Sequence, residues 1–174
     1  MFGTFTRALA LVVASQANAQ VFEYFAPARH DWVFVTDGVM GGVSAGEAVV
    51  AEGAVRLTSD VSTQNNGGFI QVRTRFGGGW PAEAEGLTLR MRGNGEGYYV
   101  FLRTTELRRP WHSYRASFVA GEGWAEVSLA FASFTAARPE MPARFTPDQV
   151  VSLGLVAYGR DFTADLSVDR ITLY

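Results

Sequence analysis

The sequence predicts an all-β fold, an antiparallel β-sandwich, from three observations. Apolar and polar residues alternate over short runs. The alternation is clearest in Gly86 to Arg92, where Leu87, Leu89 and Met91 oppose Thr88, Arg90 and Arg92, the period of a half-buried strand. Turn signals separate the runs: glycine occurs 19 times, and Asn-Gly, Gly-Gly and Glu-Gly pairs recur between apolar stretches. No segment repeats apolar residues at the helical period, and an aromatic content of 13% suits a pleated surface. The 174 residues are enough for one domain with a real core.

The elements follow in chain order. Met1 to Ala19 reads as a secretory signal peptide, with Arg7 in a short basic start, the apolar run Ala8 to Ala14, and a small-residue cleavage site at Ala17-Asn18-Ala19. This predicts an exported bacterial protein, periplasmic or secreted, that begins at Gln20; a mitochondrial presequence is the alternative. The run is too short to cross a membrane, and no second run of spanning length follows. Residues 20–174 then form one domain. Val49 to Leu57 reads as a hairpin about Glu52-Gly53. Asn65 to Gly68 is a tight turn that feeds a strand with Phe69, Gln71 and Arg73 on one face and Ile70 and Val72 on the other. Gly77 to Pro81 is a hard break. The strand Gly86 to Arg92 turns at Asn94-Gly95, and Gly97 to Arg103 returns, with Tyr98, Val100 and Leu102 opposing Tyr99, Phe101 and Arg103. Tyr114 to Val119 and Trp124 to Phe131 are further strands. Phe134 to Pro147 is a long loop, ending in a short helical turn at Thr146 to Gln149. Val151 to Tyr158 and Leu166 to Leu173 close the fold. Trp124, Phe131 and Phe134 are expected in the core.

Two blocks stand out. The first, Asp31 to Gly46, is DWVFVTDGVMGGVSAG; the second, Asn65 to Thr74, is NNGGFIQVRT. Asp37 at a glycine-rich turn has two readings: it caps the turn through downstream amides, or it lines a loop site and ligates calcium through oxygen. The spacing does not fit a phosphate-binding loop, and no helix-forming run follows. Together with Trp32, Ser44, Arg73, the Arg92-Gly93-Asn94-Gly95 turn, Tyr99, Trp124, Val127, Leu129, Phe131 and Phe134, the blocks make the chain resemble the complex I intermediate-associated protein 30 family. Asn94 stands where that family's pattern has Asp. The resemblance implies a galactose-binding-like jelly-roll sandwich, akin to some carbohydrate-binding modules, with no enzymatic activity of its own and with a role in assembling respiratory complex I. It implies no cofactor; a structural calcium enters by fold analogy alone.

The residues exclude several functions. A net charge of -2 is not that of a nucleic-acid binder by bulk electrostatics. With no cysteine there is no disulfide and no cysteine zinc site. His30 and His112 share no ligand spacing, and no serine sits in a GxSxG elbow. What remains is an aromatic and basic surface: Arg90 and Arg92 on one strand, Tyr99 and Arg103 on the next, then Trp111 and Tyr114. If the Asn94-Gly95 turn pairs those strands, the arginines and rings form one patch; otherwise Tyr99 and Phe101 belong to the core and the arginines cover it. With Asp37, Asn65 and Arg73 from the blocks, these are the candidate binding residues. The ligand is a protein partner, gripped in the manner of an assembly factor, or a glycan stacked on an exposed line of Trp111, Tyr114 and Tyr99.

Overall fold

The computed structural model describes residues 19–174. The leader reading therefore falls outside the described residues, apart from Ala19. Twelve strands form two antiparallel sheets. The first sheet contains β3 (Ala45–Ala51), β4 (Ala54–Val61), β12 (Phe162–Leu173), β6 (Gly86–Gly93) and β9 (Ala125–Ala130), in that order, and β1 (Gln20–Glu23) continues the β4 edge along the end of β12. The second sheet runs β10 (Thr135–Ala136), β8 (Tyr114–Val119), β7 (Gly97–Thr104), β11 (Val150–Tyr158), β5 (Phe69–Arg75) and β2 (Trp32–Thr36).

Alternation sets which face each strand buries. Leu87, Leu89 and Met91 of β6, Leu57 of β4 and Leu166 of β12 meet Ile70 and Val72 of β5, Val100 and Leu102 of β7, and Leu153 and Leu155 of β11 across one apolar interior. Each fully buried aliphatic side chain contributes about 1.5–3 kcal/mol, so the interior ties the sheets together. Tyr98 is fully buried, and its hydroxyl is satisfied: it donates to Asn94 Oδ1 at 2.6 Å and accepts from Asp165 N–H at 2.9 Å.

The Glu52-Gly53 hairpin forms as expected, joining β3 to β4. Pro147–Gln149 makes the expected helical turn, of the 3-10 kind. Two expectations need correction. The Asn94-Gly95 turn does not pair the strands on either side of it: β6 lies in the first sheet and β7 in the second. The backbone of that corner bonds elsewhere, Gly93 N–H to Gly121 O and Gly95 N–H to Ala120 O, so the chain crosses the sandwich here. Trp124 is not in the core. It is 36% exposed and lies between the Arg90 and Arg92 guanidiniums, each 5.0 Å from its ring. Phe131 is half-buried and Phe134 is buried.

Candidate functional site

The DGVMGG block builds a rim around a buried carboxylate. Thr36 caps a 3-10 turn, Asp37–Met40, by accepting the Gly38 N–H, and Gly41 ends it at φ 87°. Asp37 is fully buried. Its Oδ2 accepts from Ser44 Oγ–H at 2.6 Å, Gly68 N–H at 2.6 Å and Phe69 N–H at 3.4 Å, while Oδ1 accepts from Ser44 N–H at 3.1 Å. A Cβ at Gly42 or Gly67 would collide with this carboxylate. The two blocks are thus one device, in which a side chain from the first satisfies the backbone of the second. Burial alone would raise the Asp37 pKa, but these donors hold it below the usual carboxylate range. Of the two readings of Asp37, the turn-holding one fits: its oxygens face into the protein and meet hydrogen-bond donors. Asn65, at φ 56°, donates from Nδ2 to Gly41 O at 3.2 Å and closes the same rim. The rim leaves Val39, Met40 and Val43 exposed.

A second carboxylate of this kind lies in a stretch with no sequence-assigned role. Glu23 is fully buried and accepts from the N–H groups of Tyr24, Phe25, Arg29 and His30 and from Trp32 Nε1–H at 2.9–3.1 Å. His30 Nδ1 lies 3.1 Å from it. Burial opposes its ionisation, yet the donors outweigh burial and its pKa falls to about 2. The signal was an acid set inside the apolar run Val21 to Phe25.

The sequence-predicted patch divides between the two sheets. Arg90 and Arg92 lie on the outer face of the first sheet, whose charges are largely paired: Arg56 with Asp165 at 2.8 Å, Arg170 with Glu126 at 2.6 Å, and Arg90 with Asp169. Shallow hollows on this face are lined by Thr58, Asp60, Thr163 and Asp165, and by Val49, Arg56, Arg92 and Trp124. Tyr114 is buried, because position 114 faces inward on β8; its hydroxyl donates to Pro142 O at 2.9 Å. It is part of the core and not of an exposed aromatic line. Trp111 is 53% exposed, in the loop before β8.

The outer face of the second sheet gathers Arg73, Tyr99 and Arg103 with residues the sequence reading passed over. Strand register orders this face in rows. Ser152 of β11 is flanked by Arg75 of β5 and Arg103 of β7. The next row is Val33, Arg73, Gly154, Phe101 and Arg115. Then come Val35, Gln71, Val156, Tyr99 and Ser117, and finally Phe69 beside Tyr158. Tyr99, Phe101 and Tyr158 form a ring cluster with centroids 5.5–6.0 Å apart, and Arg115 covers it at 4.3 Å from Phe101 and 4.8 Å from Tyr158. Arg103 donates to the carbonyls of Leu107, Arg109 and Pro110, fixing the loop that carries Trp111. Gly154 has no side chain at the centre of this face, and only the flexible Gln71 amide reaches over it.

Burial lowers the pKa of Arg73, and Arg75 lowers it further; Arg103 is lowered by burial, then by Arg75 and Arg73. Each remains a cation at neutral pH. Among the described residues, no carboxylate forms a salt bridge with Arg73, Arg75, Arg103 or Arg115. Arg103 and Arg115 donate to loop carbonyls and to Ser113 Oγ, but half-buried Arg73 has no acceptor among the described residues, and an acidic group brought by a ligand would offset the cost of its burial.

Comparison with known proteins follows the same lines. The sequence matches the family described as Complex I intermediate-associated protein 30 (CIA30) over residues 22–168. No curated protein matches the chain. Among solved structures, it is similar to the family 11 carbohydrate-binding module of the cellulosomal cellulase Lic26A-Cel5E of Clostridium thermocellum, at 13% identity and a TM-score of 0.70, covering 89% of this chain and 93% of that one. A family 11 module from Clostridium thermocellum in complex with a β-1,3-1,4-mixed-linked tetrasaccharide gives 12% identity and a TM-score of 0.70, over 89% of this chain and 94% of that one. The family 30 module of the cellulosomal cellulase Cel9D-Cel44B of the same organism gives 13% identity and a TM-score of 0.52, over 75% and 82%. At such identities the likeness is one of fold: the β-sandwich of carbohydrate-binding modules.

Proposed function

The chain belongs to the complex I intermediate-associated protein 30 family, and on that premise we propose that it is an exported, non-catalytic module that binds glycans on the outer face of its second sheet. The observation that carries this reading is the face itself. Three rings, Tyr99, Phe101 and Tyr158, stand beside Gly154 and are bordered by arginines that form no salt bridge with an acid among the described residues. Rings present flat apolar surface to a sugar, and guanidiniums fork to oxygen acceptors. The likeness in fold to carbohydrate-binding modules supports the same choice.

Among the described residues no group of three or more His, Asp or Glu side chains is placed to hold a metal. His30 and His112 each face one glutamate, Glu23 and Glu140. No helix among the described residues is long and apolar enough to cross a membrane. Export rests on the leader pattern at Met1 to Ala19, and cell fractionation tests it.

A protein partner is the second reading, favoured by Val39, Met40 and Val43, which the rim exposes. Thermal melting of residues 20–174 against a panel of soluble glycans separates the two. A ligand at about a hundred times its dissociation constant adds about 2.7 kcal/mol, or about 5–10 °C for a domain of this size. A glycan-specific rise, lost in Tyr158→Ala, is the expected result. A flat panel refutes the glycan reading and leaves the rim as the surface to cross-link.

A further inference from the structure

We propose that the ligand of this face is an acidic glycan, its sugar carboxylates bound by Arg73, Arg75 and Arg103 while its rings rest on Tyr99, Phe101 and Tyr158. This rests on the glycan reading above and narrows it to a chemical class.

Arg75 and Arg103 flank the same residue, Ser152, from the two neighbouring strands, and Arg73 lies one row further on, across Gly154. Adjacent strands are about 4.8 Å apart and same-face neighbours about 6.8 Å apart. The three side chains therefore rise from a patch about the size of one or two sugar rings. Arg75 and Arg73 each lower the Arg103 pKa, after burial, so the three cations of this patch repel one another. The other sheet shows what ordinary solvation looks like in the same protein: Arg56, Arg90 and Arg170 each meet an acid there.

The rings decide between a polyanion surface and a sugar site. A surface for any anion needs only exposed cations, whereas here the rows pass without a break from arginines at Ser152 to rings at Val156 and Tyr158. Arg115 bridges the two halves by lying over Phe101 and Tyr158. A uronate chain matches both, with apolar ring faces and one carboxylate per residue. A single-stranded nucleic acid also stacks on rings and seeks arginine, and the oligothymidylate probe below tests it.

The test uses the mature domain and four probes: an oligogalacturonate, the same oligomer with its carboxyls reduced to alcohols, polyglutamate, and a single-stranded oligothymidylate. Arg73→Gln is the main variant, because Arg73 anchors no loop; Arg75→Gln, on an exposed side chain, is the second. Calorimetry should show the oligogalacturonate binding and the reduced oligomer at least about tenfold weaker, the scale of one charged hydrogen bond. Arg73→Gln should cost the oligogalacturonate about tenfold and the reduced oligomer nothing, and salt should weaken the charged ligand alone. Equal binding of both oligomers, unaffected by either variant, overturns the acidic class and leaves glycan binding intact. Binding of neither overturns the acidic class, and the glycan panel then decides the glycan reading by itself. Polyglutamate or oligothymidylate bound as tightly as the oligogalacturonate, with Tyr158→Ala without effect, makes the face a general anion surface and overturns the proposal.

Discussion

Replacing Asp37 with alanine tests whether the signature loop is scaffold or binding surface. The carboxylate is fully buried and serves four donors, Ser44 N–H, Ser44 Oγ–H, Gly68 N–H and Phe69 N–H. The Ser44 hydroxyl keeps a partner, because it also donates to Ser62 O at 3.2 Å, and the contact to Phe69 is long. Asp37→Ala therefore strands two buried amides, those of Ser44 and Gly68. Each stranded donor costs about 1–3 kcal/mol, so the variant should lose about 4 kcal/mol, or about 8–16 °C of melting temperature for a domain of this size. Asp37→Asn keeps the shape but turns an amide NH2 toward one of those donors, and should fall between the variant and the parent. The pH dependence has a definite sign. The folded pKa is depressed, so the stabilisation is complete above the unfolded value and is lost as pH falls through the folded one. Calcium should leave the parent's melting temperature unchanged, because both oxygens already accept from the protein. Differential scanning calorimetry of the three proteins decides. If Asp37→Ala melts within about 2 °C of the parent, half the smallest expected shift for a single stranded donor pair, the scaffold reading is refuted.

Other expectations follow from the same geometry. Glu23, with a folded pKa of about 2 against an ordinary 4.5, contributes about 3 kcal/mol at neutral pH. That contribution should fade as pH drops from about 5 towards 2, and Glu23→Gln should flatten this acid limb in pH-dependent melting. Tyr114→Phe removes a hydroxyl that donates to Pro142 O and Arg144 O; it should cost about 1 kcal/mol and leave ligand affinity untouched, whereas a binding defect would return Tyr114 to the site. Gly154→Ala should fold as well as the parent, because only the far end of Gln71 must move, by a few tenths of an ångström from 2.9 Å. Its ligand affinity should fall, as measured by calorimetry. Arg75→Glu places an acid among the arginines and should raise the melting temperature by about 1–3 °C, the worth of a surface ion pair, while abolishing binding of an acidic oligosaccharide.

What the sequence made legible was what is local. Alternation alone gave the faces of Phe69 to Arg73, Gly86 to Arg92 and Gly97 to Arg103, because side-chain direction in a strand is fixed by its neighbours. Asp37 and the glycines around it read as a turn because Asp and Gly are turn residues; that Gly42 and Gly67 must clear the Asp37 carboxylate shows only in the fold. Strand pairing was not legible. Nothing within Arg92 to Tyr99 says whether the chain folds back on itself or crosses to the other sheet, since both use a tight turn. What decides is the backbone of Ala120 and Gly121, which takes the amides of the corner. The same limit hid the ring cluster: Tyr158 reaches Tyr99 and Phe101 only because β11 inserts between β5 and β7. Tyr114 and Trp124 were also misplaced. Tyr114 opens β8 and faces inward with Ala116 and Phe118, and Trp124, expected inside because large rings usually are, precedes β9 and lies beside Arg90 and Arg92.

The two outer faces of the sandwich are exposed to the same solvent but are furnished differently, and the difference separates scaffold from site. On the first sheet arginine also faces arginine, Arg90 opposite Arg170, but each has an acid, Arg90 with Asp169 and Arg170 with Glu126, as Arg56 has Asp165. On the second, arginine faces arginine across Ser152, and the rings that cover Val156 leave part of Tyr158 in solvent. Arg103 holds the loop before β8, but Arg73 and Arg75 have no such task among the described residues. Val156 would be covered as well by aliphatic side chains, and a glutamate at position 75 would relieve the repulsion. Departures from what stability favours concentrate where a protein meets a ligand. The Gly-rich rim contributes indirectly: Asp37 fixes the start of β5, and β5 carries Gln71, Arg73 and Arg75 onto the face. The most recognisable stretch of the sequence thus positions the strand that carries the proposed site.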